Sequence, residues 1–165
     1  MVGHGKSILH VPIRVHLSDD LWCFRLDVNY GGSSGYGRHY INRLVGKWGI
    51  VDVQDCIEAS RLISTGPNSL VDPKRIVIRG GSAGGYTVLA AIANGPDVSA
   101  FAAGTSSYGI SDLKPLAEDT HKFESHYLFK LIGGTFDEVP EIYKERSPIN
   151  HADNIVAPLL VSGME

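Results

Sequence analysis

The residues with the clearest chemical potential run from Gly80 to Gly84 and read Gly-Gly-Ser-Ala-Gly. They fit the pattern G-x-S-x-G, in which a serine lies between two glycines. A β-branched segment, 75–79, precedes them, and an alanine-rich segment, 86–94, follows them. A serine on such a sharp strand-to-helix turn projects its hydroxyl beyond the sheet, where it can attack a carbonyl carbon. The pattern therefore predicts Ser82 as a catalytic nucleophile.

The neighbours of Ser82 have predicted roles of their own. Gly80 and Gly84 lack side chains, and we expect this to let the strand and the helix approach each other closely. The backbone N–H of Ala83 is expected to donate to the oxyanion that forms during acyl transfer. Together these features are typical of the nucleophile elbow of α/β-hydrolases.

A glycine-rich turn between a strand and a helix is also typical of phosphate-binding folds. Residues 80–85 contain no lysine of the P-loop type, and their glycines do not match G-x-G-x-x-G. The order of residue types therefore favours the elbow over a phosphate site.

The elements that must position Ser82 alternate between strands and helices. Strands are predicted at 21–30, 75–79, 101–108 and 159–161, with a weak strand pattern at 8–17, and helices at 52–64, 86–94, 112–116, 122–131 and 138–146. This order indicates a parallel sheet with crossover helices. The glycine-rich stretch 31–37 is interpreted as a turn that supports the sheet. Lys144-Glu145-Arg146 is interpreted as a solvated helix end.

Composition limits the possible partners. The chain has 165 residues, of which 15 are basic and 18 acidic, giving a formal net charge of −3. Because there is no basic excess to neutralise a phosphate backbone, no nucleic acid is expected. Neither a long apolar run nor the apolar core of a signal peptide is present, so we expect a cytoplasmic protein with no membrane partner. Cys23, Cys56 and the histidines match no metal spacing, and no metal or cofactor is expected.

Longer stretches around these elements carry further information: Asp27–Arg38, Trp48–Asp55, Arg79–Tyr86, Asp119–Ser125 and Tyr143–Ile149. They resemble the catalytic domain of the prolyl oligopeptidase family, in its dipeptidyl aminopeptidase and acylaminoacyl-peptidase branch. The resemblance implies a three-layer α/β-hydrolase fold and a serine peptidase that hydrolyses short peptides, with Ser82 as nucleophile. It also implies a place for Tyr86 near the substrate, although helix packing explains this tyrosine equally well.

The resemblance is partial. Residues 1–25 form an atypical N-terminal segment with no His-Gly-Gly-Pro loop, and residues 26–165 form a partial peptidase domain. The family acid follows the strand that ends near Gly163, where this sequence reads Gly163-Met164-Glu165, and the family histidine lies further on. We therefore expect a fragment that lacks the catalytic Asp and His and is inactive alone.

Histidines within the chain are weak substitutes for the absent base. His121, His126 and His151 follow Ser82 but lie between sheet strands rather than in loops after later strands. Since geometry defines a triad, they are interpreted as surface or helix histidines.

Two other functions remain open at this point. One is an inactive, truncated pseudoenzyme, and the other is a carboxylesterase-like serine hydrolase, because the elbow is common to both classes. The stretches 30–38 and 119–125 favour the peptidase. Cleavage preference and oligomeric state are not predicted.

Overall fold

A computed structural model describes residues 13–17, 24–67, 69–120 and 125–163. The strands are β1 (Ile13–Leu17), β2 (Phe24–Val28), β3 (Val77–Gly81), β4 (Ala103–Ser107) and β5 (Leu159–Ser162). The α-helices are α1 (Arg38–Ile41), α2 (Val51–Ser64), α3 (Ala83–Ala93), α4 (Leu113–Thr120), α5 (Ser125–Ile132) and α6 (Pro140–Arg146). Short 3-10 helices span Asn42–Leu44, Pro73–Arg75 and Pro148–Asn154.

Three strands form the parallel sheet that the alternating order predicted. Their order is β3-β4-β5, so β4 lies in the middle. The register aligns Gly81 with Ser107 and Ser107 with Ser162. The three strands therefore end level with one another, and Ser82 follows directly at this carboxyl edge. In α/β sheets this edge is where ligands bind.

A strand does form within the predicted range 21–30, but it is not part of the parallel sheet. The expectation that it would join that sheet was wrong. β2 pairs antiparallel with β1, with Ile13 opposite Val28 and Leu17 opposite Phe24. Within the described ranges, these two strands form a sheet of their own. The order of elements did not reveal the pairing because the partner strand has only a weak apolar pattern. β1 lies before the proposed boundary between residues 25 and 26, and β2 runs across it.

Helix α3 is central to the core. Residues 85–93 are all buried, and a helix that is apolar on every side is typical of a protein interior. Its side chains join one hydrophobic core with those of the surrounding helices, among them Ile57, Leu113, Ile132 and Tyr143. The helix begins at Ala83, three residues before the predicted start at 86, so it follows Ser82 without a linker.

The end of α6 differs from the solvated helix end that the charge pattern indicated. Lys144 and Glu145 are exposed, but Arg146 is half-buried. Its guanidinium donates hydrogen bonds to the carbonyl oxygens of Gly46, Trp48 and Ile132 at 3.1, 3.2 and 3.3 Å. A run of charges cannot show which member faces inward, because this depends on the turn that packs over the helix end.

No helix in the described ranges combines the length and apolar character that a membrane span requires.

Candidate active site

Ser82 lies at the junction of β3 and α3 in a strained backbone conformation. Its φ is 53° and its ψ is −119°, and its side chain is exposed. The Ser82 N–H donates to the Ser107 carbonyl at 2.8 Å, and the Tyr86 N–H donates to the Ser82 carbonyl at 3.0 Å. The sheet and the helix thus hold the serine from both sides. Strain of this kind persists only where the surroundings enforce it, and it is common at active sites.

The two glycines of the pattern differ in what they do. A Cβ atom added at Gly80 would lie 2.5 Å from the carbonyl carbon of Gly84, so no other residue fits there without a backbone shift. A Cβ added at Gly84 would meet no described atom within 4 Å. The close approach of strand and helix therefore depends on Gly80, whereas Gly84 contributes its backbone to that contact.

The start of α3 also closely approaches the residues after β4, and the sequence analysis did not predict this contact. A Cβ atom at Gly85 would lie 2.7 Å from the Cα of Gly109, the second residue after β4. Beside this contact, the buried Ser106 hydroxyl donates to the Gly85 carbonyl at 3.1 Å. The start of α3 therefore packs tightly on the end of β4. A doubled glycine after the serine, with another glycine after the next strand, was the available signal.

Ala83 is the first residue of α3. The first N–H groups of a helix have no acceptor within the helix and are available to a ligand. The Ala83 N–H follows the exposed Ser82 directly, so this position is compatible with an oxyanion donor.

Tyr86 lies in the interior. It is 0% exposed, and its hydroxyl donates to the Arg146 carbonyl at 3.0 Å. Its ring packs against Trp48 with 4.5 Å between the ring centroids. Burial raises the pKa of the Tyr86 hydroxyl, which therefore stays protonated. Of the two roles predicted for Tyr86, this geometry supports helix packing.

Two aspartates of α2 are buried near the elbow helix. Asp52 is 0% exposed and accepts hydrogen bonds of 2.7 Å from the Gly49 N–H and from Thr87 Oγ1. Asp55 accepts a 2.7 Å hydrogen bond from the Gly31 N–H. Burial raises the pKa of both carboxyl groups. The contact of Asp55 with Gly31 supports the structural role of the 31–37 stretch.

Of the other candidate acid and base residues, the structure describes the side chain of His151. In His151, Nε2 lies 2.8 Å from the Glu145 carbonyl oxygen, as in a structural histidine. His121 and Glu165 lie outside the described residues, and so does the side chain of His126. Within the described ranges, no group of three or more His, Cys, Asp or Glu side chains could hold a metal ion.

Cys56 is a second potential nucleophile by residue type. Burial raises the pKa of its thiol to about 12. The thiolate is the reactive form, so this shift disfavours Cys56 as a nucleophile. Ser82, by contrast, is exposed and has a strained backbone.

The parallel sheet, the crossover helices and the strained serine at a strand end are the features of an α/β-hydrolase. The profile of the Prolyl oligopeptidase family matches residues 22–165, and the chain belongs to this family. The resemblance stated from the sequence is thereby confirmed.

Curated relatives agree with this assignment. Dipeptidyl aminopeptidase BIII of Pseudoxanthomonas mexicana is 32% identical over 140 residues, which are 82% of this chain and 20% of that protein. The acylamino-acid-releasing enzyme of Arabidopsis thaliana is 32% identical over 150 residues, which are 82% of this chain and 18% of that protein. These homologues are serine peptidases. The chain spans about a fifth of the length of the relatives it matches.

Solved structures are also similar. A puromycin-hydrolyzing peptidase of Mycobacterium tuberculosis shares 51% identity with a TM-score of 0.77, covering 85% of this chain and 20% of that one. A puromycin hydrolase shares 42% identity with a TM-score of 0.76 at the same coverage of both chains. An acylaminoacyl peptidase, solved with Z-Gly-Gly-Phe-chloromethyl ketone, shares 30% identity with a TM-score of 0.68 and covers 85% of this chain and 22% of that one.

Proposed function

We propose that the protein containing this chain is a serine peptidase that hydrolyses short peptides, with Ser82 as its nucleophile. The observation that carries the proposal is the exposed Ser82 at a φ of 53°, held between β3 and α3. Membership of a peptidase family supports the choice of a peptide substrate over other acyl compounds.

The proposed reaction has two steps. Ser82 Oγ attacks the carbonyl carbon of the scissile amide, and the resulting oxyanion accepts a hydrogen bond from the Ala83 N–H. The C–N bond then breaks, and the serine proton is transferred through a histidine base to the leaving amine. Water hydrolyses the acyl-serine ester in the second step and restores the hydroxyl. The histidine and the acid that orients it are expected from residues outside those described.

Puromycin is a second candidate substrate. Two proteins of known structure, named as a puromycin-hydrolyzing peptidase and a puromycin hydrolase, are 51% and 42% identical to this chain. This similarity supports a test of puromycin hydrolysis beside that of short peptides.

The test uses the protein that carries this chain together with the expected acid and histidine. We expect a fluorophosphonate probe to label Ser82, and we expect Ser82→Ala to abolish both labelling and peptide hydrolysis. Ser69→Ala is the matched control, because Ser69 is an exposed serine in the loop after α2. Its labelling and hydrolysis should equal those of the wild type.

Each other outcome excludes the proposal in a different way. Peptide hydrolysis that survives Ser82→Ala would exclude this nucleophile. Hydrolysis of esters without hydrolysis of peptides would favour a carboxylesterase-like enzyme. No labelling and no hydrolysis would favour an inactive pseudoenzyme.

A further inference from the structure

Tyr108 has the same unusual backbone conformation as Ser82. Within the described ranges these are the two residues other than glycine with positive φ, at 55° and 53°. For a bulky aromatic residue a positive φ is a genuine outlier. Both residues follow a strand of the parallel sheet directly, Ser82 after β3 and Tyr108 after the neighbouring β4.

Hydrogen bonds along the carboxyl edge hold this arrangement. The Ser107 carbonyl, directly before Tyr108, accepts the 2.8 Å hydrogen bond from the Ser82 N–H. The Tyr108 N–H donates to the Ser162 carbonyl at 2.7 Å. The Ser162 hydroxyl also donates to the Ser107 hydroxyl at 3.0 Å. The backbone of Tyr108 is therefore fixed relative to that of Ser82.

The turn after β4 packs directly on the start of α3. A Cβ atom at Gly109 would lie 2.8 Å from the carbonyl carbon of Gly85. Neither this contact nor the positive φ at position 108 requires an aromatic ring there. A glycine would adopt the same conformation without strain.

The ring is also not needed to fill the interior. Tyr108 is 56% exposed and is not among the side chains of the hydrophobic core of the described residues. It lies at the sheet edge where ligands bind in α/β folds, one strand away from the candidate nucleophile. An exposed aromatic ring on a backbone fixed at such a place is suited to contact a ligand, because an aromatic side chain with two rotatable bonds loses little entropy on binding.

We propose that Tyr108 is a specificity-determining residue whose ring contacts the side chain of the substrate residue that carries the scissile carbonyl group. The substrate class favoured by this contact has an aromatic or large aliphatic side chain at that position. The inference rests on the proposed peptidase function and deepens it.

The experiment compares substrates that differ only in this residue. The protein with its full catalytic machinery is assayed with phenylalanyl, leucyl and glycyl amides of 7-amino-4-methylcoumarin. We expect Tyr108→Ala and Tyr108→Gly to lower kcat/KM for the phenylalanyl amide about tenfold, mainly through KM, since stacked aromatic pairs contribute at this level. The glycyl amide, which offers no side chain to the ring, should change less than about twofold. Tyr108→Phe should keep the wild-type preference.

The melting temperature of Tyr108→Gly distinguishes loss of the ring from loss of the fold. Tyr108→Gly removes the strained φ, so its melting temperature should not fall below that of the wild type while its preference is lost. Tyr127→Ala is the matched control, because Tyr127 is 63% exposed and lies on α5. It should leave all three kcat/KM values unchanged.

The outcomes separate this inference from the proposed function. If the wild type cleaves the amides, Ser82→Ala does not, and the ratio of phenylalanyl to glycyl hydrolysis is the same in the Tyr108 variants, only the role of Tyr108 is excluded. An equal loss for all three substrates would also exclude it, because it would show a role in edge geometry alone. If the wild type hydrolyses peptides but none of these amides, a contact with the side chain at this position is not enough to select a substrate, and the role of Tyr108 is excluded. If the wild type hydrolyses neither peptides nor amides, or Ser82→Ala still cleaves them, the proposed function fails and this inference fails with it.

Discussion

The carboxylate of Asp52 accepts a 2.7 Å hydrogen bond from Thr87 Oγ1 in the protein interior. Asp52 lies in the first turn of α2, and Thr87 lies on α3, the helix that follows Ser82. The bond therefore ties the helix behind the candidate nucleophile to its neighbour. The Thr87 hydroxyl has a second acceptor in the Ala83 carbonyl, at 3.2 Å.

This pair predicts an unusual pH dependence of stability. Burial raises the pKa of Asp52 above its ordinary value of 3.8, so the folded protein holds a proton more tightly than the unfolded chain. The stability that this carboxyl group contributes is greatest below its unfolded pKa and is lost as the pH rises through its folded pKa. Asp52→Asn does not titrate, and Thr87 can turn its proton to the Ala83 carbonyl and accept from the new amide.

The free energy of unfolding of wild type minus that of Asp52→Asn should therefore fall as the pH rises from about 4 to 7. Urea unfolding of both proteins across this range measures the difference. A difference that grows with pH would contradict the prediction.

Substitution of the two elbow glycines should have opposite results. Gly80→Ala places a methyl group against the Gly84 backbone, and we expect a loss of about 1–3 kcal/mol in the free energy of unfolding. Gly84→Ala places the same group in open space within a helix, where alanine is favoured over glycine by about 1 kcal/mol. Chemical denaturation of the two variants measures both values, and equal destabilisation would disprove the distinction.

The strain at Ser82 should appear as a conflict between stability and activity. Ser82→Gly removes a conformation that costs about 1–3 kcal/mol, and the greater freedom of glycine in the unfolded chain offsets about 0.4–1 kcal/mol of this. We expect this variant to unfold at a higher temperature than the wild type and to lose fluorophosphonate labelling. Ser82→Ala, which retains a Cβ, should lose labelling without the gain in stability. A Ser82→Gly variant that is less stable than Ser82→Ala would show that the backbone there is unstrained.

Tyr86→Phe tests the packing role of this tyrosine. Removal of the hydroxyl leaves the Arg146 carbonyl without this donor and should cost about 1 kcal/mol of stability. Labelling of Ser82 should be unchanged, because the hydroxyl points into the core rather than to a ligand. Tyr143→Phe, which removes a similar 3.0 Å bond to the Gly134 carbonyl, is the matched control and should lose a similar amount. Loss of labelling in Tyr86→Phe alone would restore a role near the substrate.

Arg146 should be far more important to stability than the charges beside it. Arg146→Met leaves three carbonyl oxygens without a charged donor, and we expect a loss of about 3 kcal/mol or more. Lys144→Met removes an exposed charge two residues earlier and should change stability by less than about 0.5 kcal/mol. Thermal unfolding of both variants gives the comparison. Similar small effects would return Arg146 to the solvated helix end that its sequence context indicated.

The strand-to-helix turn at Ser82 could be predicted from the sequence because its determinants are local. A β-branched strand, a serine between glycines and an apolar helix follow one another within about 20 residues, and each acts through backbone geometry or hydrophobic periodicity. For the same reason the strands β3, β4 and β5 lie within a few residues of their predicted positions. The predicted parallel arrangement of these three strands also followed from their order, since a crossover helix joins parallel neighbours.

The remaining features depend on residues that are distant in sequence. Strand β2 pairs with β1 because the two strands meet in the fold, and its own apolar pattern fits either a parallel or an antiparallel partner. Arg146 is half-buried because a turn about 100 residues earlier brings the Gly46 and Trp48 carbonyls to its guanidinium. The positive φ at Tyr108 accompanies the close approach of Gly109 to Gly85, which exists only once α3 packs on β4. Local patterns show which residues can form a strand, a helix or a turn. Tertiary packing decides which residues are buried, where a charged side chain lies and where the backbone is strained, because it brings distant residues into contact.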